Sequence, residues 1–157
     1  ENDILSLNKI ESKSSSSSIN DLSNSGVIGK VKKEVTVYTE DYHLYEKTKD
    51  NRPEWLLNRY KELRERILNL GDVEIIPRGL YISFRLSRPF TDIIIYKKGL
   101  VLLINMKKGN LNDPNKLTRD VSSVGHWGNG DYELLIDKNT DIDYVMFLIN
   151  QSFNHHS

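Results

Sequence analysis

Residues 125–134 read GHWGNGDYEL, a run that puts His126, Trp127 and Asn129 among three glycines and then begins an alternating pattern. Histidine is the side chain suited to moving protons near neutral pH, so His126 is the first candidate for chemistry. A catalytic histidine needs a partner, and none is recognisable. The sequence has no G-x-S-x-G elbow and no H-E-x-x-H pair; His43 stands alone, and His155 and His156 close the chain. The glycines run G-x-x-G-x-G, the reverse of the dinucleotide fingerprint, and precede a strand pattern instead of opening a helix. A structural turn is therefore expected, with Asn129-Gly130 reversing the chain and Trp127 capping the core. His126, Trp127 and Asn129 are kept as candidate ligand or turn residues, and no catalytic or metal-binding residue is assigned. Glu11 and Lys13 have the E-x-K spacing of restriction-type nucleases, a short spacing that arises readily by chance.

A second candidate comes from charge. The formal net charge is zero, but Arg78 to Arg119 holds nine basic residues against two acidic ones, a local net of +7. Asp120 to Asp143 holds six acidic residues against Lys138, a net of −5. Cations at strand ends and turns reach into water, where they can meet phosphate. Arg85, Lys97, Lys98, Lys107, Lys108 and Arg119 are the candidate nucleic-acid-binding set, and Tyr81, Tyr96 and Trp127 could stack on bases nearby. The plainer reading is that such cations blunt sheet edges and maintain solubility.

The elements that must position these residues are legible from periodicity. Leu56, Tyr60, Leu63, Ile67 and Leu70 mark one face of a long helix, with Pro53 in its first turn and Gly71 as a left-handed cap. Residues 80–85, 90–96 and 100–106 read as three adjacent strands, the last two joined by a hairpin at YKKGL with Gly99 left-handed. LVLLINM is apolar at nearly every position, so this strand should be central and covered on both faces. Asp113 and Pro114 should open a short helix with Leu117 and Val121 turned inward. Tyr132, Leu134 and Ile136 mark a half-buried strand. Thr140 and Asp143 form a capping box before a final helix carrying Ile142, Val145, Met146, Ile149 and Phe153. The fold class is α+β: an antiparallel sheet of about four strands with a long helix, a short helix and a C-terminal helix.

The serine tract from Ser14 to Ser18 lies in a polar stretch, so residues 1–33 read as a flexible linker and 34–157 as a single α+β domain. A chain that opens on Glu1 suggests a piece of a longer protein. Without cysteine there is no disulfide framework, thiol nucleophile or cysteine zinc site. No apolar run reaches the length of a membrane span and no signal peptide is visible, giving a cytoplasmic address by default.

From VYTEDYHL through DPNKLTRDVS and GHWGNGDYEL to DIDYVMFLI, the last 120 or so residues resemble domain-of-unknown-function family 5655, also labelled predicted transport protein. That resemblance implies an upstream nuclease-type domain joined by a polar linker, and brings no catalytic residues to assign. The reading carried forward is a non-enzymatic accessory domain, without cofactor, that helps a larger protein engage DNA or RNA through the basic sheet region. The alternatives are a protein-interaction or homodimerisation module in which the basic and acidic blocks of two copies pair, and an enzyme using His126.

Overall fold

The computed structural model describes residues 34–47 and 51–157; the linker expected over 1–33 and the Glu11–Lys13 spacing lie outside the described residues. Residues 35–157 make one compact unit. Its centre is a six-stranded, wholly antiparallel sheet: β1 (Glu74–Pro77), β2 (Ile82–Arg85), β3 (Pro89–Ile95), β4 (Leu100–Ile104), β5 (Arg119–Asp120) and β6 (Tyr132–Ile136), in the order β1-β2-β3-β4-β6-β5. The α+β class is as expected, with six strands instead of about four. β1 is an edge strand that tolerates Pro77 because one side of it donates to no neighbour. β5 is only two residues long and lies inside the stretch expected to be helical.

Alternation along the strands sorts side chains onto two faces. Ile82, Phe84, Ile93, Ile95, Leu100, Leu102, Ile104, Leu134 and Ile136 face one way and form the main core with α1 (Glu54–Leu68) and α2 (Ile142–His156). α1 buries Leu56, Tyr60, Leu63 and Ile67, the stripe its periodicity marks. α2 buries Ile142, Val145, Met146 and Ile149, and Phe153 meets Phe90 edge to face at 5.3 Å. Both faces of β4 are covered, since Leu102 and Leu103 are fully buried on opposite sides.

Several local expectations give way to tertiary contacts. Helix α1 ends on Asn69 without a left-handed glycine; Gly71 is small because a Cβ there would lie 3.0 Å from the Phe153 ring. Gly99 is likewise not left-handed: its missing Cβ makes room for Leu135 and the Ile136 carbonyl. The cap of α2 is Asp141, which accepts from the Asp143 and Tyr144 amides, while Thr140 turns back to Asp137. The short helix expected from Asp113 is absent. The Asp113 carboxylate instead folds its own loop, accepting from Leu117 N, Thr118 N and Thr118 Oγ1, and Tyr144 of α2 donates to it at 2.5 Å. Lys116 is left-handed there, Leu117 is exposed, and only Val121 points inward.

Ahead of α1, a π-helical turn (Tyr42–Glu46) is held by two anchors. Glu40 accepts from Arg64 Nε at 2.7 Å and from the buried Tyr60 hydroxyl, whose pKa burial raises. His43 is fully buried and donates from Nε2 to Arg78 O at 2.6 Å; burial lowers its pKa, opposed by that bond.

Candidate functional site

The second sheet face is the one the helices leave open. Its cover is a small cluster of Ile94, Leu103 and Val121, with Tyr81 and Val101 against it, and the loop of residues 121–130. Two cross-strand rows define this face. The first is Ile94, Val101 and Leu135; the second is Ser83, Asp92, Leu103, Glu133 and Arg119.

Asp92 lies at the centre of the second row and is 0% exposed, an unusual position for a carboxylate. One of its oxygens, Oδ2, accepts from Asn129 N at 2.6 Å and from Asn129 Nδ2 at 2.9 Å. The other, Oδ1, completes no hydrogen bond of good geometry, nor does the buried Oγ of Ser83, the residue paired with it on β2, although that hydroxyl lies near enough to act on the carboxyl. Burial pushes the Asp92 carboxyl above the usual carboxylate range, opposed by Ser83, the two Asn129 bonds and the charge of Arg78. Asn129 is thus a latch that fastens the GHWGNG loop to the middle of the sheet.

The glycines allow that fastening. Gly128 has φ +97, and a Cβ on it would lie 2.3 Å from Leu103 Cδ1 and 3.0 Å from Asp92 Oδ2. Gly130 has φ +95, and a Cβ there would lie 2.1 Å from Ile104 O. Both positions combine a left-handed backbone with direct contact against the sheet, so the motif is a fitted cover and not the hairpin turn its Asn-Gly pair suggests. Asn129 itself keeps negative φ.

His126 braces the loop from within. Its Nδ1 is 2.9 Å from Val124 O and its Nε2 is 2.8 Å from Gly130 O. Both nitrogens face carbonyl oxygens, which leaves neither for a substrate. Trp127, expected to cap the core, is 62% exposed. With the brace and latch pulling its neighbours down, its indole points outward; with Gly125 and His126 it lines a cavity of about 260 Å³. Tyr96, 51% exposed, continues the face of Ile94 at the β3–β4 hairpin, and Leu135 is 63% exposed.

The candidate cations do not converge. Lys97 and Lys98 form the β3–β4 turn, whereas Lys107 and Lys108 follow the far end of β4, whose five residues span about 17 Å. Arg85 on β2 and Arg119 on β5 lie toward that far end, four strand spacings or about 19 Å apart across the sheet order. Two of the nine basic residues pair with the acidic block folded against them, Lys108 with Asp120 at 2.8 Å and Arg119 with Glu133 at 2.9 Å, while Arg85 is 3.6 Å from Glu74, outside that block. Lys108 holds the Asp120 carboxyl below the usual range. Sequence reasoning missed Asp92 and Ser83; the one available signal was an acid inside the otherwise apolar FTDIII of β3. Among the described residues no group of three or more His, Asp or Glu side chains is placed to hold a metal, and no helix is long and apolar enough to cross a membrane.

Comparison with known proteins adds a family without an assigned activity. The family described as domain of unknown function (DUF5655) matches residues 45–156. An uncharacterized protein of Haemophilus influenzae is 40% identical over 154 residues, which are 97% of this chain and 49% of that protein. The chain therefore spans about half the length of this curated relative. No solved structure matches.

Proposed function

The chain belongs to the DUF5655 family, and from the geometry of its open sheet face we propose that it is a non-enzymatic accessory module of a larger cytoplasmic protein, engaging single-stranded nucleic acid. The observation that carries this reading is the division of labour between the two faces. Helices seal one, while the other displays Trp127 and Tyr96 to solvent, has Tyr81 partly open, and is flanked by the Lys97-Lys98 turn. Bases stack on exposed aromatic rings without regard to sequence, and lysines at the margin follow the phosphates. The ion pairs that neutralise Lys108 and Arg119 restrict the electrostatic footprint, so stacking contributes more of the binding than charge. The same pairs weaken homodimerisation by block pairing, since those charges are already satisfied within one chain.

Fluorescence anisotropy with labelled single-stranded DNA and RNA, titrated at rising salt, tests the proposal. Trp127→Ala and Tyr96→Ala should each weaken binding about 5- to 150-fold, the equivalent of ~1–3 kcal/mol per stacked base. Lys97→Gln with Lys98→Gln should flatten the salt slope. No binding at low salt by the intact chain overturns it.

A second reading, a protein-interaction module, is favoured by Leu135, an exposed apolar side chain beside half-buried Val101 on the same face. Leu135→Lys separates the two, because it abolishes an apolar protein contact and leaves stacking on Trp127 in place.

A further inference from the structure

The two exposed rings of the open face are set far apart. Gly128 is pressed onto Leu103 and Asp92, so Trp127, the residue before it, is held above that row of the sheet. Tyr96 continues the line of Asp92 and Ile94 along β3, and its N–H closes the hairpin by donating to Gly99 O at 3.0 Å. Four residues of extended chain separate the Asp92 row from Tyr96, a span of roughly 13 Å. Between them lie Ile94 and its cross-strand partner Val101, which offer no ring to stack on. The polar side chains beside Trp127 are already engaged: both ring nitrogens of His126 face loop carbonyls, and the side-chain amide of Asn129 donates to Asp92.

Resting on the single-strand reading above, we infer that this face is a two-point site for an oligonucleotide of at least three nucleotides, with one base on Trp127, one on Tyr96 and the strand crossing the Ile94–Val101 row between them. Neighbouring bases lie ~3.4 Å apart when stacked, and an unstacked sugar–phosphate unit reaches roughly twice as far, so two adjacent bases cannot occupy both rings and a third nucleotide completes the span. A mononucleotide or dinucleotide meets one ring only. A duplex keeps the faces of its bases in its own stack and offers neither ring a partner along its length. Stacking holds any base by its flat face, whereas telling bases apart takes hydrogen bonds to their edges. With His126 and Asn129 turned inward, the Trp127 end holds a base without reading it. Lys98, exposed in the turn beyond Tyr96, meets the phosphates at that end. The site therefore selects the length of a single strand and is largely indifferent to its sequence.

Titration of the 15N-labelled full chain at low salt with oligothymidylates and oligouridylates of one to about six nucleotides, followed by NMR amide shifts, tests the span. The shifts give dissociation constants directly, and those at Trp127 and Tyr96 report which ring is occupied. The expected result is weak binding up to two nucleotides and then a step of about 5- to 150-fold at three, the gain from a second stacked base, with both rings shifting together. Trp127→Ala and Tyr96→Ala should each abolish the step and leave a smooth dependence on length. Both side chains are mostly exposed, so each variant keeps the fold. Replacing the pyrimidine of the trinucleotide by adenine or cytosine should change its affinity by less than about tenfold. A smooth rise with length in the unaltered chain, a dinucleotide bound as tightly as the trinucleotide, or a stronger preference for one base overturns the inference and leaves single-strand binding in place. No binding by any of the oligomers overturns the single-strand reading and this inference with it.

Discussion

Asn129 donates from both its backbone N–H and its side-chain amide to a single oxygen of Asp92, leaving the other carboxylate oxygen facing Ser83 without a completed hydrogen bond. A carboxylate in this position carries a charge that burial opposes, yet its geometry suits a neutral group with one acceptor and one donor.

Asp92→Asn should therefore stabilise the fold. The asparagine oxygen can accept from Asn129 as Oδ2 does, and its NH2 can donate to Ser83 Oγ. Because burial raises the folded-state pKa of Asp92 above that of an exposed aspartate, about 3.9, wild-type stability from this group is highest below that value. It falls as pH rises to the folded pKa, and stays reduced above it. Urea midpoints at neutral pH should favour Asp92→Asn by ~1–3 kcal/mol, with the difference shrinking toward pH 4. A less stable variant at neutral pH would mean that the charge itself holds the latch.

The two left-handed glycines of the 121–130 loop, Gly128 and Gly130, should differ from Gly109, the third left-handed one. Gly128→Ala and Gly130→Ala each force a Cβ against the sheet in a conformation that L residues rarely adopt, and each should cost ~1–3 kcal/mol by thermal or urea unfolding. At Gly109, also left-handed, a Cβ would meet nothing within 4 Å, so Gly109→Ala isolates the backbone contribution alone and should cost about 1 kcal/mol. Equal costs at all three sites would show that contact with Leu103, Asp92 and Ile104 contributes nothing.

The contrast between these glycines shows what was legible in the sequence. The helical stripe of α1 and the all-apolar β4 were readable because a period of 3.6, or its absence, encodes burial directly. The left-handed Gly130 was readable from Asn-Gly chemistry, but its role was not, because the reason for it is the carbonyl of Ile104, 26 positions away in the chain. Trp127 was misplaced for a related reason. Asn129 fastens the loop to Asp92 on the sheet and His126 ties the loop to itself, and the indole is left outside. The short helix at Asp113 had correct capping chemistry, yet the cap was used by a turn because Tyr144 and β5 hold the chain extended. Charge summed along the sequence overstated the basic patch, since β5–β6 pairing folds the acidic block against the basic one.

Leu102→Asp should unfold the domain. The side chain is fully buried between the sheet and the helices, and an unpaired charge there costs several kcal/mol, comparable with the ~5–15 kcal/mol stability of a whole domain. Circular dichroism should show no cooperative melt. A soluble variant with a sharp transition would require Leu102 to lie outside the core.

Trp127→Ala and His126→Ala together separate fold from function at the loop. Trp127 is mostly exposed, so its removal forfeits little packing and should change stability by less than about 1 kcal/mol, instead of the ~3–5 kcal/mol lost with a buried tryptophan. His126→Ala removes the contacts of both ring nitrogens with backbone carbonyls and should cost ~1–2 kcal/mol. The binding proposal requires the opposite ranking in oligonucleotide affinity: Trp127→Ala should bind worst, because it removes the stacking surface, and His126→Ala should weaken binding less, because it only loosens the support of that surface. Melting curves and anisotropy titrations on the same two proteins give both rankings. If Trp127→Ala melted far below wild type, the indole would be a core residue after all; if it bound normally, the aromatic face would have no part in recognition.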